Sequence, residues 1–293
     1  MSPAKFPLHG YVGAAGIVVA EVLLFSGNVF VGHWFTPIVW TAYILLTDAL
    51  VYRVKGRSLL KNDRLEFLVV VIISIASWWL FELYNAPRFW NSNLELWWHY
   101  HNLEPNLWIR RIGYDWAFAT ITPALLETAD LFRATVFRRE RNALTVRMSK
   151  PLLAVMILIG AAGVVVPLVR PSEWFAPIIW LSFIIFIDPF NTFNGSESIV
   201  GDLARGDWRR LFSLLASGLV CGFLWEFWNY WALSKWTYTV PYFGDIKMFE
   251  MPVVGYLGFP PFAVECWVIY IFLHSLLQPL RHMQGSDIFL RSS

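Results

Sequence analysis

Trp34-Phe35-Thr36-Pro37-Ile38-Val39-Trp40 and Trp174-Phe175-Ala176-Pro177-Ile178-Ile179-Trp180 are one apolar phrase written twice in the same chain. Tryptophan and proline are rare residues, so a recurring WFxPIxW points to an internal duplication. Working outward from the phrase, further matches keep the same order. Gly13-Ala14-Ala15-Gly16 precedes it as Gly160-Ala161-Ala162-Gly163 precedes its counterpart, and Asp48 falls opposite Asp188. Phe81-Glu82-Leu83-Tyr84-Asn85 then falls opposite Trp225-Glu226-Phe227-Trp228-Asn229, and Gly113-Tyr114 opposite Gly255-Tyr256. Pro123 through Glu127 matches Pro261 through Glu265. The small-residue piece alone carries little, because such residues recur wherever membrane helices pack. The ordered series predicts two related membrane repeats, residues 1–148 and 149–293.

Composition sets the solvent. The 293 residues are 57% hydrophobic and 15% charged, where a soluble chain carries about a quarter charged residues. The charge deficit is concentrated in long apolar runs, which predicts an all-α integral membrane protein. A net charge of +2 gives no reason to expect nucleic acid. Cys221 and Cys266 both lie in apolar stretches and form neither a disulfide nor a zinc pattern.

A span takes roughly 20 apolar residues. About eight are expected, near 10–30, 35–53, 66–85, 112–135, 151–169, 174–190, 211–232 and 260–280. The first is expected to be a retained span, because Glu21 interrupts it and no clean cleavage pattern follows. The fourth and eighth carry glycine and proline early, so their helices are expected to start at Pro123 and Pro261 after irregular backbone. Four spans per half give the two repeats the same orientation, related by an axis along the membrane normal. Lys and Arg gather at 53–64, 138–150 and 205–210, with Arg281 and Arg291 beyond, and the loops 86–111 and 233–251 hold fewer. The excess predicts a cell-membrane protein with both termini cytoplasmic.

An intramembrane charge costs at least ~2.5–3.5 kcal/mol and normally faces the bundle interior. Glu82 and Glu226 follow their basic loops by about 16 residues, which places them ~25 Å up a helix. Glu127 and Glu265 sit just after Pro123 and Pro261. All four glutamates are therefore expected at one level, lining one cavity in the outer half. Asn85 and Asn229 lie three residues past Glu82 and Glu226 on the same helix face, within reach of the carboxyls. An apolar setting favours the protonated acid, and like charges placed together cannot all ionise. The alternative is structural, with carboxylates near helix ends serving as caps or staying solvated.

His33, His99 and His101 are of a type that binds metal, but the second half has no counterpart to them, so neither metal nor cofactor is expected. The tryptophans of the loops, Trp90, Trp97, Trp98, Trp108, Trp231 and Trp236, read mostly as an interfacial belt. Some could instead wall a site for an apolar ligand, where aromatic faces stabilise cations.

Trp225-Glu226-x-x-Asn229, then Trp236-x-Tyr238, then Pro252, Gly255 and Pro261 to Glu265, resembles the lycopene cyclase domain of heterodimeric and fused carotenoid cyclases. Glu82 to Glu127 follows the same outline less closely. The family pattern has two adjacent glutamates after its proline, whereas here Glu127 and Glu265 stand alone four residues on, and each half has an extra span. The resemblance covers about half of the chain. It implies a cofactor-independent isoprenoid cyclase or isomerase, with Glu226 and Glu265 matching the family's acidic residues. Beside an enzyme acting on an apolar isoprenoid or lipid by carboxyl-mediated protonation, two other readings stay open. One is a proton- or cation-coupled transporter, the other a non-catalytic membrane subunit.

Overall fold

The computed structural model describes residues 4–87, 95–139 and 144–277. Arg88, Trp90, Arg141, Arg281 and Arg291 lie outside them. In chain order the first half holds α1 (Leu8–Phe25), α2 (Val29–Lys55), the short α3 (Leu59–Asn62), α4 (Arg64–Asn85), strand β1 (Trp98–His101), α5 (Leu107–Ala119) and α6 (Ile121–Ala134). The second holds α7 (Lys150–Val169), α8 (Ala176–Phe193), the short α9 (Ile199–Ala204), α10 (Arg209–Trp231), strand β2 (Lys235–Tyr238), the two-residue strands β3 (Lys247–Met248) and β4 (Met251–Pro252), and α11 (Phe259–Leu277). Among the described residues seven helices are long and apolar enough to cross a membrane: α1, α2, α4, α7, α8, α10 and α11.

The segment expected to be the fourth span, 112–135, is instead two half-length helices that break at Thr120. Pro123 has no N–H to give to the carbonyl of Ala119, so a continuous helix would lose a bond there. Ser74 of α4 bridges the break, donating to Phe118 O at 2.5 Å and accepting from Thr122 N at 2.9 Å. In the other half a 3₁₀ stretch (Val253–Gly258) precedes α11, whose first turn holds Pro260 and Pro261. Both proline-opened helices are central. Every residue of α6 from Ile121 to Asp130 is buried, and so is every residue of α11 from Phe262 to Tyr270. Helix α6 packs on α2, α4, α10 and α11, and α11 on α4, α6, α8 and α10. One apolar core therefore runs through both halves.

The outer helices show what surrounds the bundle. Helices α1 and α7 expose Val18, Val19, Val22, Leu158, Ile159 and Val165, a surface suited to lipid tails. The glycine phrases set how closely α1 and α7 approach the bundle. A methyl group on Gly13 would sit 2.5 Å from the Ala42 carbonyl oxygen, and one on Gly160 2.5 Å from the Phe186 amide nitrogen. Helix α1 thus lies backbone to backbone on α2, and α7 on α8.

The two aspartates opposite each other in sequence do the same work. Asp48 accepts from Ser58 Oγ at 2.8 Å and Leu60 N at 2.9 Å, tying α3 to the end of α2. Asp188 accepts from Ile199 N at 2.9 Å and Val200 N at 2.8 Å, tying α9 to the end of α8. Ion pairs collect at this same end: Lys55 with Asp130 at 2.7 Å, Arg133 with Asp207 at 3.5 Å, and Arg210 with Glu197 at 2.6 Å. It is the basic end of the bundle; the strands lie at the other.

Candidate functional site: an aromatic chamber with two glutamate–tyrosine pairs

At the strand end, β1 and β2 pair antiparallel, with Trp98 opposite Tyr238 and Tyr100 opposite Trp236. The last turn of each neighbouring helix holds its strand through asparagine. Asn85 Oδ1 accepts from Trp97 N at 2.8 Å and Trp98 N at 3.0 Å, and its Nδ2 donates to Trp98 O at 2.9 Å. Asn229 Oδ1 accepts from Trp236 N at 2.9 Å, and its Nδ2 donates to Trp236 O at 2.8 Å. This corrects the expectation for Asn85 and Asn229. An amide bonded to backbone on both its atoms is a clamp on a strand, and among the described residues neither asparagine bonds the glutamate one turn earlier.

Tyrosines on the clamped strands reach the glutamates. Tyr100 OH donates to Glu82 Oε1 at 2.5 Å, and Tyr238 OH donates to Glu226 Oε1 at 2.6 Å. Each pair joins E-x-x-N on a helix to W-x-Y on a strand, so the two constellations correspond residue for residue. Their surroundings differ. Glu82 Oε1 also accepts from Trp98 Nε1 at 3.0 Å and Trp78 Nε1 at 3.1 Å. Glu226 is fully buried, its Oε1 receives Tyr238, and its Oε2 has no hydrogen-bond partner among the described residues. Trp236 Nε1 backs the second pair by donating to Tyr238 OH at 2.6 Å. Burial and the adjacent carboxylate push both phenols well above their ordinary pKa, so Tyr100 and Tyr238 are hydroxyl donors at neutral pH.

Both tyrosines line a chamber of about 500 Å³, within the size range of small-molecule sites. Its wall is aromatic, with Trp40, Trp78, Trp98, Trp180, Trp225 and Trp236 among its members. The duplicated phrase supplies two of these, and their contacts correspond: Trp40 lies 5.5 Å from Trp225, and Trp180 lies 5.4 Å from Phe81. Trp78 stacks on Trp225 at 5.8 Å, joining α4 to α10 across the chamber. Tyr100 also lines a second, open cleft, which Glu82, Glu95, Arg110 and Arg111 share.

The expectation that Glu82, Glu127, Glu226 and Glu265 line one cavity does not hold. None of the four lines the aromatic chamber; Glu82 and Glu226 touch it through their tyrosines. Glu127 is buried in α6, neither oxygen with a well-formed hydrogen bond among the described residues, and its electrostatic neighbours are Asp48, Asp130 and Lys55 of the basic end. Glu265 is fully buried in α11, its oxygens without a well-formed hydrogen bond among the described residues and with Tyr84 and the Phe183 backbone as neighbours. A residue count from the prolines places both at the outer level only if each span enters straight from its loop, whereas α6 begins at the buried Ile121, inside the bundle.

His99 and His101 pair with Thr239 and Thr237, each at 2.8 Å, and His33 with Ser234 at 2.9 Å. Among the described residues no three His, Cys, Asp or Glu side chains gather to hold a metal ion. Trp97 and Trp98, read as belt residues, are each only 4% exposed, whereas Trp108 is 83% exposed. Glu66, near the start of its apolar run and without a motif to mark it, accepts at the basic end from Tyr270 OH at 2.6 Å and lies 3.3 Å from His274 Nε2. No protein-family profile, curated protein or solved structure matches the chain.

Proposed function

We propose that this is an integral membrane enzyme that binds an apolar isoprenoid- or lipid-like molecule in the aromatic chamber and isomerises or cyclises it by proton transfer. The observation that carries the reading is the chamber wall itself, rich in aromatic rings and touched by two hydroxyls that each rest on a buried or half-buried glutamate. Glu226 has an unpartnered, fully buried Oε2, so an ionised form would leave a charge uncompensated. It is the acid: with its proton on Oε1 it donates to the Tyr238 oxygen, reversing the resting hydrogen bond, as the Tyr238 hydroxyl proton passes to a carbon–carbon double bond. Glu82, with three donors on one oxygen and an open cleft beside it, is the base that takes the final proton through Tyr100. Proton in and proton out balance, and the ligand keeps its mass. The indole faces stabilise the intervening cation, by up to ~2 kcal/mol each when desolvated.

The corresponding Glu–Tyr–Asn constellations, glycine contacts and aspartate caps support two parallel repeats as the origin of this arrangement. Of the lycopene cyclase resemblance only the acidic role of Glu226 is retained; Glu265, its other acidic match, does not line the chamber.

The test is a comparison of lipid extracts from membranes carrying the wild-type chain with extracts from membranes lacking it. An isomer of unchanged mass is expected to accumulate, and to carry one deuterium when the reaction runs in D₂O. Identical extracts, or a product of altered mass, would sink the proposal. In the same reading the basic end faces the cytoplasm, since Lys and Arg concentrate there. A cysteine introduced at position 246, at the strand end, should react with an impermeant thiol reagent added outside intact cells; labelling only after lysis reverses the orientation.

A further inference from the structure

The aromatic chamber and the open cleft share three residues, Tyr100, Arg110 and Tyr114. Arg110 is the one whose charge calls for explanation. It sits half-buried on α5 and gives Nε to the backbone oxygen of Glu104 at 2.6 Å. Among the described residues no carboxylate pairs with it.

The other charged groups around it do have partners. Arg111 pairs with Asp115 at 3.1 Å and stacks over Trp79 at 3.8 Å. Lys235 is paired with Glu250 at 2.5 Å. Glu95 lies 3.3 Å from His99, and the Glu104 carboxylate accepts from Asn106 N at 3.1 Å. Glu82 receives its three donors on Oε1. A half-buried guanidinium with one of its five donors spent on a neutral carbonyl retains the capacity for a bidentate anion. Arginine is also the cation best matched to a carboxylate or phosphate in such a setting, being planar and weakly hydrated.

We propose that Arg110 binds the anionic headgroup, carboxylate or phosphate, of a long-chain amphiphile whose apolar chain fills the aromatic chamber. The inference rests on the chamber being a ligand site, and it narrows the ligand from any apolar molecule to one with a charged end. The geometry gives that molecule a fixed direction: head at the wall between chamber and cleft, chain running inward past Tyr100 toward the paired tryptophans. A directed ligand is what a site with one acid and one base requires, because a chain free to enter either way round would present the wrong carbons to Tyr238.

The experiment uses the purified full chain in nanodiscs, with tryptophan quenching as the readout. The probes are farnesyl phosphate, farnesol and farnesene, which share a chain and differ in the head. Farnesyl phosphate should bind about 10- to 100-fold more tightly than farnesol, the range for hydrogen bonds to a charged group. Arg110→Ala should erase that gain and leave farnesol binding within about twofold, while Arg110→Lys keeps part of it. Palmitate against hexadecanol repeats the comparison for a carboxylate head, and the head showing the larger gain identifies the ligand class. Equal affinity for farnesyl phosphate and farnesol would overturn the headgroup site while leaving the chamber intact. So would a parallel loss of both in Arg110→Ala, the sign of a structural role, or inorganic phosphate competing as strongly as farnesyl phosphate. Failure of all the long-chain probes to bind would overturn the chamber reading along with this one.

Discussion

Glu226→Gln is expected to lower turnover at least ~10²-fold with little change in stability, since positioned general acids contribute about 10²–10⁴-fold. The amide is the same shape as the acid, and its oxygen still accepts from Tyr238 OH, now 2.6 Å away. What it lacks is a transferable proton. Tyr238→Phe removes the group that carries the proton into the chamber, and its rate should fall comparably while the ring keeps its place on the wall. Glu265→Gln is the contrast. Glu265 is as deeply buried as Glu226, but it neither lines the chamber nor bonds a residue that does. Loss of rate on Glu226→Gln with a normal unfolding midpoint, beside a nearly normal Glu265→Gln, supports the assignment. Full activity in Glu226→Gln would end it, and a fall in midpoint matching the fall in rate would make Glu226 a strand anchor.

How far the sequence leads to this site can be followed residue by residue. Glu82 and Glu226 stand out early because a carboxylate in an apolar run needs a reason, and each recurs with its asparagine. The role of the asparagine is harder to see. Asn85 reaches Trp98 thirteen residues on, whereas Asn229 reaches Trp236 only seven residues on. The unequal loops put Trp98-x-Tyr100 and Trp236-x-Tyr238 out of alignment, so their equivalence and the reach of each tyrosine to its glutamate do not show in the sequence. The break at Thr120 is hidden for a different reason. Hydropathy averaged over a span reads 112–135 as continuous, and only the missing N–H of Pro123 together with Ser74, a partner 48 residues away, reveals two helices. Chamber walls are hidden too, because indoles from α2, α4, α8 and α10 come together only in three dimensions.

Arg210→Met should be the most destabilising single change at the basic end, by ~3 kcal/mol, the low end of what breaking a buried ion pair costs. The Arg210 side chain is 7% exposed and lies 2.6 Å from Glu197 Oε1 and 2.8 Å from Asp202 Oδ2, with its guanidinium 4.6 Å over the Trp267 ring. Methionine fills the space beside the indole and leaves Asp202, only 6% exposed, with Arg205 at the surface as its remaining partner. The sign of the pH dependence follows from Asp202. Burial raises its carboxyl above the ordinary 3.8, and Arg210 and then Arg205 oppose the rise. Removing Arg210 lifts it further, so between 3.8 and the new folded value the native state binds more protons than the unfolded one. Stability then falls as pH rises through that window. The deficit of Arg210→Met, measured as the unfolding midpoint in detergent, should therefore be complete at pH 8 and smaller at pH 5. Asp202→Asn placed in the same chain should recover part of the loss and flatten the pH dependence, because no buried charge remains to be compensated. A deficit equal at both pH values and unrelieved in the double variant would trace the loss to the missing contact with Trp267.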